Sequence, residues 1–316
     1  MTSERTISET NSVFEQPWWL DTVAEGKWQE AAVREKDSGR ILARLPYVVE
    51  RGRISMPRYT QTLGIWMDPG LRAPKRGNEH LGRQKEVIHA LLSELPVRNR
   101  IDLVLDSSQE YVLPFRWEKF SIEPAFSYRI VFGEAWDDCE QNFTKNIQRD
   151  IRRGLKTLTV TESDDIEEFL RLQNRSYERQ NRKNPIDNDF TAHVIERAAG
   201  LSHGKLFAAR DAGGHAHAGS FVLYDEKCCY HLMSGQDTSY GNDGALPILF
   251  REEIAFAKAH SLAYDFEGSM VEGIEQTYRR YGGKLVTNWH VWRQPLLSDL
   301  ARTMKPRVKR LIGYKM

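Results

Sequence analysis

Asp265 and Glu267 stand two residues apart in the run Tyr264-Asp265-Phe266-Glu267-Gly268-Ser269-Met270. Strand alternation puts both carboxylates on one face of a strand that ends in Gly-Ser. Strand ends in open α/β sheets face ligand crevices, and a carboxylate there can take the proton of an attacking amine. Each acid could equally cap a helix or pair with Arg279 or Arg280. A second candidate is the loop Ser239 to Leu246, whose residues Gly241, Asn242, Gly244 and Ala245 lead into an apolar helical run. Glycines at a helix N-terminus leave backbone N–H groups free for a phosphate or an oxyanion, and an ordinary turn would look the same. A third is the basic run Phe143 to Lys156, with Lys145, Arg149, Arg152, Arg153 and Lys156. Such a helix can meet the phosphates of tRNA or of a nucleotide-linked substrate, or can be a solvated face matched in part by Asp150.

Smaller candidates accompany these. Arg58-Tyr59-Thr60-Gln61-Thr62 forms a polar and aromatic cluster in which Tyr59, Thr60 and Gln61 could line an acceptor pocket. His231 in Tyr230-His231-Leu232-Met233 could serve as a general base, although a histidine on an apolar strand is more often held structurally. No Ser/His or Cys/His nucleophile signature stands out, so a direct attack of the acceptor on the acyl carbonyl is the expected route.

The elements that would position these residues alternate strand and helix. Residues 13–26 read as a short leading helix. Trp28 to Glu35 and Arg40 to Val49 alternate around the turn Asp37-Ser38-Gly39 and predict a hairpin. Helices are predicted over 79–95, stopped by Pro96, and over 137–156. Strands are predicted over 101–105 and 127–132. In the second half a strand over 158–161 precedes a helix over 166–177 capped by Ser163. A helix over 189–199 and strands over 205–210, 216–224 and 227–233 follow. Next come a helix over 245–260, a strand over 262–266, a short helix over 274–281 and a strand over 285–292. A basic amphipathic helix with Leu297, Leu300, Met304, Val308 and Leu311 on one face closes the chain. It could lie on an anionic membrane surface, contact RNA or dock across the domains. Trp18, Trp19, Trp28 and Trp66 concentrate in the first half and are expected to serve its core.

With 316 residues the chain has room for about two domains, and its net charge of +1 leaves any nucleic-acid or membrane contact to local patches. Cys139, Cys228 and Cys229 show no metal or redox spacing, so reduced thiols and no metal site are expected. The polar N-terminus lacks a signal-peptide core and no run is long enough to span a bilayer, which predicts a cytoplasmic protein.

Five runs carry a resemblance: Asn142-Phe-Thr-Lys-Asn-Ile-Gln-Arg-Asp-Ile-Arg-Arg153, Tyr264 to Met270, Tyr278-Arg279-Arg280-Tyr281-Gly282-Gly283, Phe14-Glu-Gln-Pro-Trp-Trp-Leu20 and Pro57-Arg-Tyr-Thr-Gln-Thr-Leu-Gly64. Together they resemble the FemABX-like branch of the GNAT acyltransferase superfamily, across residues 13–293. The resemblance implies an α/β (α+β) fold of two tandem GNAT-like domains, each a mixed sheet flanked by helices, at 13–156 and 157–293. The C-terminal basic helix at 294–316 follows them. It also implies transfer of an acyl or aminoacyl group to an amine, with Asp265 or Glu267 receiving the proton. In GNAT enzymes the loop before the long helix grips the pyrophosphate of CoA, and Gly244 matches its first glycine; Gly241 and Leu246 depart from the pattern. Fem proteins use aminoacyl-tRNA and extend peptidoglycan bridges, but carry a coiled-coil arm that is not evident here. The donor stays open between acyl-CoA and aminoacyl-tRNA, each as a co-substrate and not a tightly bound cofactor. Tyr278 and Arg279, with Lys145, Arg149 and Arg152, are the implied substrate contacts. The acceptor would be a small-molecule or lipid-linked amine in cell-envelope, polysaccharide or natural-product synthesis. A non-catalytic RNA- or nucleotide-sugar-binding module with a decayed GNAT fold is the alternative.

Overall fold

A computed structural model describes residues 6–133, 139–179, 181–268 and 270–294. These form two compact units. The larger holds residues 6–7, 12–26 and 125–287, and the smaller holds 8–11, 27–124 and 288–294.

In the smaller unit the predicted hairpin is present: β1 (Trp28–Arg34) pairs antiparallel with β2 (Ile41–Glu50). Gly39 adopts φ +71° at the turn, a conformation that favours glycine. β2 also pairs antiparallel with β3 (Arg53–Ile54) and β4 (Trp66–Met67). β3 runs parallel to β5 (Ile101–Leu105), which pairs antiparallel with residues 289–293 of β12 (Lys284–Arg293). Three helices belong here: α2 (Pro69–Arg72), α3 (Glu79–Glu94) and α4 (Leu113–Trp117). α3 buries Val87, Ile88, Leu91 and Leu92 along its apolar stripe. Leu95, held extended ahead of Pro96, ends it.

The larger unit carries a mixed sheet in the order β6-β11-β10-β9-β8-β7. The strands are β6 (Ser121–Val131), β7 (Leu158–Ser163), β8 (Gly204–Asp211), β9 (Ala216–Tyr224), β10 (Cys229–Gln236) and β11 (Ala263–Asp265). Every neighbouring pair is antiparallel except β10 with β11. The helices are α1 (Pro17–Val23), α5 (Lys145–Gly154), α6 (Ile166–Glu178), α7 (Asn188–Gly200), α8 (Ala245–His260) and α9 (Glu272–Tyr278). On one face Ile147 and Ile151 of α5 and Ile248, Leu249 and Ile254 of α8 share a core with Ala218, Val222 and Tyr264 of the sheet. On the other face Gly235 approaches Gln173 of α6 so closely that a side chain would collide, and Gly219 lies tight against Phe169. The mixed α/β architecture expected from the sequence is thus present in both units.

The differences from expectation are local. Ser163 is not the cap of α6; it ends β7, because Glu162 and Ser163 still pair with Phe207 and Leu206. Asp165 caps instead, its carboxylate accepting from the Glu168 N–H at 2.9 Å. The helix expected over 137–156 is shorter: a 3-10 turn at Cys139–Asn142 precedes α5. Trp18 and Trp19 are buried in the larger unit, where Trp18 stacks on His203 at 5.0 Å. Cys228 and Cys229 are buried free thiols, as expected, and burial pushes both well above the usual thiol range. The predicted C-terminal helix lies outside the described residues.

Candidate functional site

The chemistry-bearing strand of the sequence becomes β11 and its exit. Asp265 is completely buried. Its Oδ1 accepts from the Ser127 hydroxyl and from the Glu267 N–H at 2.7 Å, and its Oδ2 from Arg129 Nε at 2.9 Å. Three donors, one of them a cation, compensate its burial. Asp265 therefore fastens β11 to β6 and fixes the backbone of Glu267.

Glu267 stands differently. It sits at φ +57°, a left-handed conformation that needs such fixing. The Gly268 that follows passes so close to Phe126 O that a Cβ there would lie 2.0 Å from it. The Glu267 Oε1 is buried and has no hydrogen-bond partner among the described residues. Burial, reinforced by the charge of Asp265, pushes its carboxyl well above the usual range. Tyr278, at the end of α9, stacks on Phe266 at 5.2 Å. Burial first, and then the charges of Glu267 and Glu253, raise its phenol. Arg279 is exposed and faces Glu275 at 3.8 Å.

Beside this strand end the sheet opens. β10 and β11 pair only at Cys229↔Tyr264 and Tyr230↔Asp265, while β10 continues to Gln236. Within that stretch β10 bulges: His231 faces Val222 of β9 but Met233 faces Phe221, leaving Leu232 as an extra residue. The bulge puts His231 and Ser234 on one face. His231 Nε2 lies 3.1 Å from Ser234 Oγ, and Nδ1 lies 2.8 Å from Glu253 Oε2 of α8. Tyr264 donates its hydroxyl to the same Glu253 oxygen at 2.5 Å.

The glycine loop leads into α8. Gly241 and Gly244 take φ +70° and +94°. A Cβ on Gly244 would lie 2.5 Å from Asp150 O and 2.8 Å from Gly154 N, so this glycine is required by the close approach of α5. The α8 N-terminus is partly satisfied from within. Asp243 Oδ1 accepts the Ala245 N–H at 2.9 Å, and Pro247 has no N–H to offer. Asp243 Oδ2 lies 2.6 Å from His217 Nδ1, and that ring stacks on Tyr240 at 3.5 Å. Asn242 accepts from Arg153 Nη2 at 2.9 Å, which ties the loop to α5. On α5, Lys145, Arg149 and Arg152 are exposed. They recur at steps of four and three along one face of α5, and Lys156 follows in the turn after the helix.

Residues 141–280, which contain Asp265, Glu267, Tyr278, the glycine loop and α5 but not the β6 residues that hold Asp265, match the family described as Acetyltransferase (GNAT) domain. This segment is similar to GNAT-type acetyltransferase domains. No curated protein matches the sequence. Among solved structures, FemX is similar over 94% of this chain and 96% of its own, with a TM-score of 0.65 at 12% identity. L-PGS from Bacillus licheniformis covers 94% of this chain and 93% of its own, with a TM-score of 0.51 at 12% identity. The C-terminal domain (DUF2156) of a candidate lysylphosphatidylglycerol synthetase from Agrobacterium fabrum covers 92% and 90%, with a TM-score of 0.54 at 10% identity. At these identities the likeness is one of fold.

The larger unit brings together most of the residues singled out in the sequence. Asp265, Glu267 and Tyr278 cluster at the end of β11. Gly241, Asn242, Gly244 and Ala245 form the loop and first residue of α8 against the cationic α5. Tyr59, Thr60 and Gln61 belong to the smaller unit, where Thr60 is buried and Tyr59 takes φ +55°. Among the described residues no group of three or more His, Cys, Asp or Glu side chains is arranged to hold a metal ion. Sequence reading missed Ser234 and Glu253. Glu253 in the apolar run of α8 was the available signal, since a carboxylate there must find a partner in the sheet.

Proposed function

We propose that the chain is an N-acyltransferase in which Glu267 accepts the proton of an amine as it attacks an activated acyl carbonyl. The observation that carries this reading is the unpartnered, buried oxygen of Glu267 beside the opening between β10 and β11. An amine is protonated at neutral pH and must lose protons to attack and to leave product as an amide. A carboxyl raised by burial is a better base for that step than an ordinary one. Asp265, whose oxygens already accept three hydrogen bonds, acts by holding Glu267 in place. Tyr278 closes the apolar wall behind it.

For the donor, the reading favours an aminoacyl-tRNA. The cationic face of Lys145, Arg149 and Arg152 suits a polyanion, and the α8 N-terminus suits a pyrophosphate less well. There Asp243 takes one N–H and sets a negative charge at the positive helix end, while Pro247 removes another. The fold-level likeness to FemX and to lysylphosphatidylglycerol synthetase agrees with it. Acyl-CoA is the second reading, favoured by the match to an acetyltransferase domain. The acceptor is a small-molecule or lipid-linked amine, consistent with a cytoplasmic enzyme of cell-envelope, polysaccharide or natural-product synthesis. Among the described residues no helix is long and apolar enough to cross a membrane.

Melting the protein with and without CoA, acetyl-CoA and bulk aminoacyl-tRNA tests the donor. A ligand that binds the native state raises the melting temperature by mass action. A rise with aminoacyl-tRNA alone supports the first reading, and a rise with CoA species alone replaces it with the second. Acyl release from that donor in the presence of a panel of primary amines then tests the chemistry. Binding without release in the wild type would mark a binding module instead.

A further inference from the structure

We propose that the acceptor is an amphiphile, an amine joined through an anionic headgroup to a hydrocarbon chain, and that the chain lies along an apolar stripe of α9. This rests on the acyl-transfer reading and deepens it by choosing the lipid-linked amine over the small molecule.

The backbone that leaves Glu267 goes straight to the surface. Gly268 is wedged against Phe126 O, which fixes the way out. Met270, three residues after Glu267 and so at most about 11 Å from it along the chain, is 70% exposed. Val271 at the cap of α9 and Ile274 in its first turn are 54% and 43% exposed. Single exposed apolar side chains are ordinary, but three together beside a buried carboxyl are not. Ile274 shares a helix face with Tyr278, four residues on, and Val271 precedes it by three. At the far end Tyr278 turns inward, stacking on Phe266 at 5.2 Å and meeting Phe250 at 5.9 Å. The stripe therefore begins in solvent and ends on the residue next to Glu267.

The headgroup has partners of its own. Arg279 and Arg280 follow Tyr278 directly and are exposed. The Thr144 N–H donates to Arg280 O at 2.9 Å, which brings the exposed Lys145 to the same end of α9. These cations suit a phosphate between amine and chain. The acids of α9 offset them only in part: Glu275 is shared between Arg279 at 3.8 Å and the Tyr128 hydroxyl at 2.6 Å, and Glu272 accepts from Gln276 at 3.3 Å. A second protein suits the stripe less well, because three half-exposed side chains fall far short of the roughly 800 Å² per partner that a stable interface buries. A hydrocarbon chain needs only a narrow strip, and each buried methylene strengthens its binding about fourfold. The acyl chain of the donor suits it less well too, since the stripe leads to the carboxyl that receives the amine's proton.

The test compares two amines that share a headgroup, by titration calorimetry on the full chain. One is O-phosphoethanolamine, which has no chain, and the other is dihexanoyl phosphatidylethanolamine below its micelle concentration. Wild type is set beside the double variant Val271→Ser with Ile274→Ser, which alters exposed side chains and should melt within a few degrees of wild type. The expected result is that the lipid binds wild type about tenfold or more tightly than the headgroup alone, and that the double variant loses this gain. Should the variant not fold, the wild-type comparison of the two amines decides. A lipid that binds no better than its headgroup, or a gain that survives in the folded variant, overturns the proposal and leaves acyl transfer standing. A preference for decanoyl-CoA over acetyl-CoA that the double variant abolishes, with no gain for the lipid, gives the stripe to the donor and also overturns it. Self-association in sedimentation that the double variant abolishes, again with no gain for the lipid, overturns it in favour of a second copy of the chain. Lipid binding with the full gain, but no acyl release from acetyl-CoA or aminoacyl-tRNA, upholds the amphiphile site and overturns acyl transfer instead.

Discussion

At the end of β11 one carboxylate is saturated and its neighbour is not. At the start of α8 the polar groups of the glycine loop are largely engaged with one another. Asp265 accepts from Ser127, Arg129 and the Glu267 backbone, and that leaves Glu267 with an open oxygen. In the loop, Asn242 holds Arg153, Asp243 holds Ala245 and His217, and Gly244 is shaped by α5. Residue types suited to chemistry stand at both places. The difference lies in the capacity left over once packing and hydrogen bonding are met, and that capacity is what a substrate can use.

The comparison is sharpened most by breaking the saturated end. Asp265→Asn leaves Arg129 facing a neutral partner in a nearly buried setting, so a loss of about 3 kcal/mol is expected. Chemical denaturation reads it directly, and a variant as stable as wild type would mean that Asp265 is not the strut described. Next is Gly244→Ala, where the added methyl meets Asp150 O at 2.5 Å in a φ +94° backbone. About 2 kcal/mol should be lost. If stability held while donor affinity fell sharply, the glycine would be serving a ligand and not α5. Smallest is the double substitution Arg149→Ala and Arg152→Ala on the exposed face of α5. Stability should stay within about 0.5 kcal/mol. The slope of log affinity for tRNA against log salt should shrink by about 1–2. An unchanged slope would remove α5 from the donor site.

Much of this was legible from sequence where one element decides its own form. α8 over Ala245–His260 and β5 over Ile101–Leu105 follow from local periodicity and flanking stops, and the structure reproduces both ranges. The carboxylate pair was legible as a pair, but not its division of labour. That depends on Ser127 and Arg129, more than 130 residues away in the chain and adjacent only through the β6–β11 pairing. The bulge at Leu232 left no trace in Tyr230-His231-Leu232-Met233, because it is a matter of register against β9. Ser163 seemed the better cap by type, but pairing with β8 held it in a strand and passed the role to Asp165.

The central claim is that Glu267 is the proton acceptor, and Glu267→Gln tests it most directly when rate and stability are read together across pH. The carboxyl is raised above its ordinary value of 4.5 in the folded chain. Between that value and its folded one, the native state binds more protons than the unfolded, so wild-type stability falls as pH rises through this window. Glu267→Gln should lack that fall and melt at least as high as wild type at pH 7, with the difference vanishing below pH 4.5. Acyl transfer to the amine at pH 7 should drop by about 100-fold or more with donor binding retained. Transfer that survives at the wild-type rate, in a folded variant that still binds donor, would contradict the account.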